Sequence, residues 1–388
     1  MFVPDDVRER LLRLRRDLHR HPELAFQEQR TADRLHEELA RLQPAELSRV
    51  VGTGVIARIK GEDENAPVVA VRGDIDALPI QEETGVEFAS ENEGVMHACG
   101  HDVHATWAVG AACLLKSRPA CGDVLILLQP AEESGMGAAA VLETGVLDGA
   151  KAIFGAHVDR RFAVGQVVAQ PGSLAAAADT FCIELMGTGC HAARPHEGLD
   201  PTPGAGALIQ ALHAIIPRRL SPGTPAVISI GVLSAGTASN IIPDHVRIEG
   251  TIRSMDPETR QLLKNEVRSR AEGIAGAHGL EAAVSFDVGL PPVMNRVEAV
   301  EWARQAVATV LGDDAVTQLG SINMAGEDFA CYLEKMTGCF LRIGAREDGG
   351  DFIPLHTPRF IAADESIFIG SAVLAETARV ASAHLASR

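Results

Sequence analysis

The run Val124-Leu125-Ile126-Leu127-Leu128 closes on Gln129-Pro130-Ala131-Glu132-Glu133 and constrains the fold more than any other stretch. It is unbroken, of strand length, and shows no polar alternation. Such a run reads as a buried strand, the kind found where helices cover a parallel sheet. Open α/β sheets form their sites beyond the carboxyl ends of such strands, where Glu132 and Glu133 stand. Two more strand-like runs end the same way. Val68–Arg72 leads to Asp74 and Asp76, and Ala152–Ala156 leads to His157. A glutamate pair is often a solvated turn and one histidine is usually a core or surface residue. Three strand ends carrying metal- or acid-type side chains are hard to dismiss together.

Between the first two strands lies Met96-His97-Ala98-Cys99-Gly100-His101-Asp102-Val103-His104. It packs a thiol, three imidazoles and a carboxylate, the side chains that hold transition metals. Cys99 and His101 are two apart, so an extended segment would point both to one side and Asp102 away. The bland alternative is a buried cysteine in a turn with satisfied histidines nearby.

Periodicity organises the rest. Residues 5–20 form an amphipathic helix with Val7, Leu11, Leu12, Leu14 and Leu18 on one side, and Pro22 marks its end. His19 and His21 there read as structural. A second helix spans about 27–42, strands 54–60 and 68–72 follow, and Asp74 and Asp76 would otherwise only cap a turn. A helix from His104 to Leu115, the strand at 124–129 and a helix at 137–143 continue an alternation that argues a layered α/β domain. From residue 180 the pattern changes. Strands at 181–186, 226–232, 245–253 and 281–286, with helices at 203–216 and 258–278, give the order β-α-β-β-α-β, the ferredoxin-like signature. We therefore expect a discontinuous first domain, residues 1–178 and 291–388, interrupted by an α+β insert at 179–290. In the returning part, 298–311, 326–334 and 365–387 read as helical, and 340–344 as a buried strand.

The 388 residues suffice for about two domains. The formal net charge of −17 argues against nucleic acid or an anionic membrane as partner. Seven scattered cysteines without a framework suggest reduced thiols and a cytoplasmic setting. The first residues do not read as a signal peptide, and no apolar run reaches membrane-spanning length, so no membrane span is expected.

These residues match a family. The chain resembles the metal-dependent amidohydrolases of the M20 peptidase clan, in the branch of aminoacylase-like, hippurate-hydrolase-like and auxin-conjugate hydrolases. The resemblance rests on Arg72-Gly73-Asp74-Ile75-Asp76-Ala77-Leu78-Pro79, the stretch around Cys99, Gln129–Glu133, and Gly187-Thr188-Gly189-Cys190-His191-Ala192-Ala193-Arg194-Pro195-His196. It continues in Asn240-Ile241-Ile242-Pro243, Gly250-Thr251-Ile252-Arg253, Gly326-Glu327-Asp328-Phe329 and Leu355-His356. Each is weak alone; in this order they are specific to the family, not to a substrate.

The resemblance implies a mixed-sheet α/β/α metallohydrolase domain whose ferredoxin-like insert serves as lid and dimerisation domain. It implies Cys99, His101, Glu133, His157 and His356 as ligands for two divalent ions, zinc, manganese, cobalt or nickel, with Cys99 bridging. Asp76 would orient a metal-binding histidine. Glu132 would be the general base, taking a proton from the activated water and passing it to the leaving amine. His191, crossing from a partner subunit, would stabilise the oxyanion, while Asn240 and Arg253 would grip the substrate carboxylate or amide. The implied reaction cleaves an N-acyl amino acid; a dipeptidase or carboxypeptidase, or a non-catalytic binding protein of the same fold, are the alternatives. The implied active unit is a homodimer through the lid, or a tetramer built from it. The chain departs from the family pattern at Val103 and Cys190, where glycine is usual, and at Val158-Asp159-Arg160-Arg161, where relatives carry an aromatic residue and a proline. Two arginines near the metals would favour an acidic group on the substrate. His97, His104 and His196 receive no ligand role.

Overall fold

The computed structural model describes residues 2–388. The chain divides into two compact units: residues up to Gly172 with Met294–Gly320 and Asp328–Arg388, and Ser173–Val293 with Ser321–Glu327. These junctions correct the expected ones. The change of unit falls at 172/173 and 293/294, and the short piece Ser321–Glu327, expected in the first domain, belongs to the inserted unit.

The first unit opens with α1 (Asp5–Arg20), α2 (Gln29–Ala40), β1 (Glu46–Val50), β2 (Gly54–Ile59) and β3 (Val68–Asp74). It continues with α3 (His101–Ser117), β4 (Val124–Gln129), α4 (Gly137–Glu143), β5 (Ala150–Ala163) and β6 (Val167–Val168). The second unit contains β7 (Gly172–Ala175, beginning at the junction), β8 (Ala177–Met186), β9 (Cys190–His191), α5 (Thr202–His213), α6 (Ile215–Arg219), β10 (Ala226–Ala235), β11 (Ile241–Ile242), β12 (His245–Ser254), α7 (Pro257–Ala277) and β13 (Glu281–Phe286). After β14 (Val293–Asn295), the first unit resumes with α8 (Val297–Leu311), β15 (Val316–Thr317), α9 (Ala330–Leu333), β16 (Thr337–Arg346) and α10 (Glu365–Ala386).

An eight-stranded mixed sheet in the order β1-β2-β4-β3-β5-β16-β6-β15 forms the centre of the first unit. Its middle strands β4, β3, β5 and β16 are parallel. Every residue of β4 is buried, as the unbroken apolar run requires. Side-chain alternation in β3 shows helices on both faces. A Cβ on Gly73 would lie 2.4 Å from the His104 carbonyl oxygen, so α3 sits directly on that face. Arg72 points the other way, where Nη2 donates to Asp328 just before α9. Helix α1 buries Leu11, Leu14 and Leu18, and Pro22 follows its last turn. The strand β1 was not foreseen, because Glu46-Leu47-Ser48-Arg49-Val50 lies half exposed at the sheet edge and carries little apolar pattern.

The inserted unit has a four-stranded antiparallel sheet, β10-β12-β8-β13. Numbered by succession this is 2-3-1-4, the ferredoxin-like arrangement. β8 alternates buried and half-exposed positions, placing Phe181, Ile183 and Leu185 against Leu208, Leu212, Leu263 and Val267 of α5 and α7. Asp256 caps α7 by accepting from the Thr259 N–H at 2.7 Å, with Pro257 in the first turn.

Candidate active site

Strand register builds the site. Asp74 ends β3 opposite Gln129, the last residue of β4. Arg72 pairs with Gly155 of β5, which places His157 level with Asp74. The strand ends thus bring Asp74, Asp76, Glu132, Glu133 and His157 to one edge. β5 runs on to Ala163 and is longer than the expected 152–156, so His157 lies within a strand whose neighbour β3 ends level with it.

Cys99 and His101 meet by a different route from the extended one expected. Gly100 has φ +86° and His101 opens α3. A left-handed residue turns the chain sharply into the helix, a conformation glycine adopts without strain. Asp102 does face away, into a buried group where Arg15 Nε donates to it at 2.8 Å and His19 Nδ1 sits at 2.8 Å. His19 also meets Glu82, so its role is structural.

The proposed ligands converge. Cys99 Sγ lies 3.2 Å from His157 Nε2 and 3.3 Å from His356 Nε2. Glu133 Oε1 is 3.5 Å from His356 Nε2 and 3.8 Å from His101 Nε2. Two overlapping triads of possible ligand atoms result, Cys99–His101–His157 and Cys99–Glu133–His356, each within 4.8 Å, with the thiol common to both. Glu132 Oε2 lies 3.9 Å from His101 Nε2, and its other oxygen accepts from the Asp328 N–H at 3.4 Å. One dipeptide therefore turns two carboxylates toward the same histidine. Ala131 before it has φ +59°, as does His356. Non-glycine residues in that region are strained by about 1–3 kcal/mol and persist where surrounding structure holds them. Here Glu28, fully buried, accepts the Ala131 N–H at 2.9 Å, and Ala98 accepts that of His356 at 2.9 Å.

Hydrogen bonds fix the histidine tautomers. His157 donates Nδ1–H to the Val158 carbonyl at 2.7 Å, which leaves the Nε2 lone pair facing Cys99. His101 donates Nδ1–H to Asp76 at 3.2 Å, while the second Asp76 oxygen accepts the Glu133 N–H at 2.9 Å. Asp76 thus aligns two of the proposed ligands at once. Burial and the nearby Arg342 push the His157 pKa well below its ordinary value, keeping the ring neutral. Burial alone would lower that of His101, but Asp74 and Cys99 outweigh it and hold it well above. Burial would raise the Glu133 pKa, yet His356 and His101 lower it. Protein groups alone, burial first and then Glu133, push the Cys99 thiol well up.

The donors fit divalent metals. Among the described residues, His101 Nε2 and Glu133 Oε1 are buried without a hydrogen-bond partner, and they face each other. Clustered carboxylates and a thiol need positive charge between them, and thiolate, imidazole and carboxylate are the ligands zinc and its neighbours take.

Several residues given no role in the sequence analysis support this cluster. His104 donates Nδ1–H to Asp74 at 2.7 Å and accepts the Val158 N–H at 3.0 Å, which ties α3 to the strand bearing His157. Asp328 takes Arg72 at 2.8 Å, Gln129 at 2.8 Å and the Ala138 N–H at 2.8 Å, and so holds its own N–H toward Glu132. Their motifs were visible, but only contact across the fold shows which side chain each one meets. Among the described residues, His97 is buried with no hydrogen-bond partner on either ring nitrogen, and burial lowers its pKa to about 3; His196 is exposed in a short turn. The suggestion that Arg160 and Arg161 favour an acidic substrate is overturned: Arg160 pairs with Glu347 and Arg161 with Asp159.

The remaining predicted residues lie in the inserted unit. His191 and Asn240 are neighbours across the β9–β11 ribbon, where Ile241 pairs with His191 and Ala192 N–H donates to the Asn240 carbonyl at 3.0 Å. Both are exposed. That ribbon adjoins the Met186/His245 end of the sheet, through the Gly187 N–H to Asp244 carbonyl bond of 2.7 Å. Arg253 pairs with Ala178 at the opposite end of the ten-residue strand β12. Within one copy of this unit Arg253 is therefore not brought together with His191 and Asn240.

The profile of Peptidase family M20/M25/M40 matches residues 70–380. The chain belongs to this family. An N-acetylcysteine deacetylase of Bacillus subtilis is 43% identical over 373 residues, covering 95% of this chain and 96% of that one. Thermostable carboxypeptidase 1 of Saccharolobus solfataricus is 34% identical over 384 residues, covering 95% of each. The crystal structure of the Bacillus subtilis YXEP protein, described as a dinuclear metal binding peptidase from the M20 family, superposes with a TM-score of 0.86 at 38% identity, covering 97% of this chain and 99% of that one. This M20 chain is accordingly a metal-binding hydrolase of amides. No helix among the described residues is long and apolar enough to cross a membrane.

Proposed function

We propose that the protein hydrolyses N-acyl amino acids to a free acid and an amino acid. The observation that carries this is the Glu132–Glu133 dipeptide beside a thiol shared by two ligand triads. Cys99, His101, Glu133, His157 and His356 would hold two divalent ions, zinc matching the thiolate and imidazoles and manganese, cobalt or nickel as alternatives. Such ions, when bound, supply Lewis acidity toward the scissile carbonyl. Glu132, which accepts the Asp328 N–H and is not among the five assigned ligands, accepts the proton of the attacking water and returns it to the leaving nitrogen. Asp76 keeps His101 and Glu133 aligned while the charge shifts.

We assign oxyanion stabilisation to His191 and substrate anchoring to Asn240 and Arg253. The distance of Arg253, at the far end of β12, from the ribbon carrying His191 supports the expectation that His191 serves the site of a second copy. The active unit would then be a homodimer formed through the inserted unit, with a tetramer built from it as the larger alternative. The acidic composition fits a small-molecule substrate rather than nucleic acid or membrane, and the scattered cysteines fit a cytoplasmic setting. The deacetylase relative favours an N-acyl amino acid, and the carboxypeptidase relative keeps a peptide substrate as the second reading.

The test is amine release from acetyl-, benzoyl- and indoleacetyl-amino acids, aminobenzoyl-glutamate and dipeptides, metal-loaded and after chelation. Chelator-sensitive cleavage of acyl conjugates is expected. Cleavage of dipeptides alone would move the reading to a peptidase, and no cleavage with any metal would overturn it.

A further inference from the structure

The loop that carries His356 leaves the sheet after Arg346 and returns at Ala363, whose N–H donates to the Ala345 carbonyl at 3.0 Å. At its tip the His356 N–H is held by Ala98, and the Pro358 carbonyl accepts from Glu83 at 2.8 Å. Between the two ends sits the Arg160 side chain, 4% exposed. Nη1 donates to Glu347 Oε1 at 3.1 Å and to the Ile361 carbonyl at 2.7 Å. Nη2 donates to Glu347 Oε2 at 2.7 Å and to the Asp351 carbonyl at 2.7 Å. All four terminal N–H groups are thus engaged. They reach three points of one loop, two ahead of His356 and one behind it.

Arg160 projects from β5 three residues beyond His157. The planar guanidinium grips a carboxylate with two parallel bonds and still has donors for two carbonyls, a geometry an ammonium cannot reproduce. The strained backbone of His356, φ +59°, needs such support to persist.

We propose that Arg160 is a positioning residue that staples the 347–361 loop to the strand bearing His157, and so sets the affinity of one metal position, the one using His356, Glu133 and Cys99. The inference rests on the two-metal reading above. The triad Cys99–His101–His157 contains no residue of the loop, so the two metal positions should respond differently.

The experiment titrates Zn²⁺ into chelator-stripped full-length wild type, Arg160→Ala, Arg160→Lys, Glu347→Gln and His356→Ala. Trypsin cleavage after Arg359, which is exposed in the loop, is followed in parallel. Supporting partners of metal ligands commonly contribute about 10–100-fold in metal affinity. Arg160→Ala should weaken one equivalent by about that factor, leave the other as in wild type, and speed cleavage at Arg359. Arg160→Lys should not rescue it, and Glu347→Gln should fall between. Two equivalents of wild-type affinity in Arg160→Ala, or equal weakening of both in Arg160→Ala and in the milder Glu347→Gln, would overturn the staple. Fewer than two equivalents in wild type would instead sink the two-metal reading. Cleavage at Arg359 would then decide the staple alone: faster in Arg160→Ala supports it, and an unchanged rate overturns it.

Discussion

The proposed site residues of the two units are held in opposite ways. In the first unit Cys99, His101 and His157 are buried, and Asp76, Asp74, His104 and Asp328 are tied to the cluster or to its supports by hydrogen bonds. In the inserted unit His191 and Asn240 stand exposed on a two-stranded ribbon, and His191 Nδ1 accepts a local N–H, that of Ala193 at 3.1 Å. A metal-binding cluster must be pre-organised, because like charges are forced together in low dielectric. Groups that meet a substrate arriving from outside need reach and exposure. The contrast teaches that the first unit encloses its proposed groups, whereas the inserted unit leaves its proposed groups exposed.

The sharpest break of this comparison is Glu132→Gln. Loss of a general base commonly lowers turnover about 10²–10⁴-fold. Metal content, read by elemental analysis, should stay at the wild-type value, since Glu133 and not Glu132 is assigned as ligand. A variant that loses metal would make Glu132 part of the cation cage.

His191→Ala probes the exposed side. Removing one oxyanion donor costs about 10²–10³ in kcat. Substituting an exposed residue shifts stability by only about 0.5 kcal/mol. Turnover should drop while the thermal midpoint stays put. Mixing His191→Ala with Glu132→Gln should restore part of the activity if the histidine serves a second copy; failure of such complementation would confine it to its own chain.

Asp76→Asn should lower metal affinity about 10–100-fold, because the amide cannot orient His101 as a carboxylate does. Competition with a chromogenic chelator measures it, and unchanged affinity would remove Asp76 from the site's framework.

The smallest effect concerns the body of the inserted unit rather than its exposed tips. Asp179 is buried and held by Arg260 at 2.8 Å and Lys264 at 3.2 Å. Burial would raise its pKa, but these cations outweigh burial and lower it. A depressed folded-state pKa stabilises fully above the unfolded value, near 3.9, and is lost as pH falls through the folded value. Asp179→Asn should therefore cost about 1–3 kcal/mol near neutral pH and converge on wild type in acid. Denaturant midpoints at pH 7 and pH 3 would show it. A gap that stays constant with pH would mean that the carboxylate charge contributes nothing.

Much of this was legible in the sequence because it is local. The run at 124–128 announces a fully covered strand, and the spacing of Leu11, Leu14 and Leu18 announces α1, since each reports its own burial pattern. The strand-end residues Asp76, Glu132, Glu133 and His157 could be suspected for the same reason. The element order of the insert revealed its topology, although its junctions moved by several residues and acquired Ser321–Glu327. The helix expected over 326–334 shrank to Ala330–Leu333, preceded by a turn in which the Asp328 carbonyl accepts the Cys331 N–H at 2.9 Å while its side chain is committed to Arg72, Gln129 and Ala138.

What the sequence determined by itself, then, is the inventory: which segments are strands or helices, and which side chains are chemically able to bind a cation or move a proton. Those properties depend on a few neighbouring residues. Only the tertiary structure decided the pairings. It gave Asp76 to His101, His104 to Asp74 and Val158, and Asp328 to Glu132. It turned Arg160 from a substrate candidate into a clasp around the His356 loop. The partners in these contacts are 25 residues apart in the nearest case and 201 in the farthest. Such contacts form because packing and burial leave each polar group no solvent to turn to, and that constraint exists only once the chain has folded.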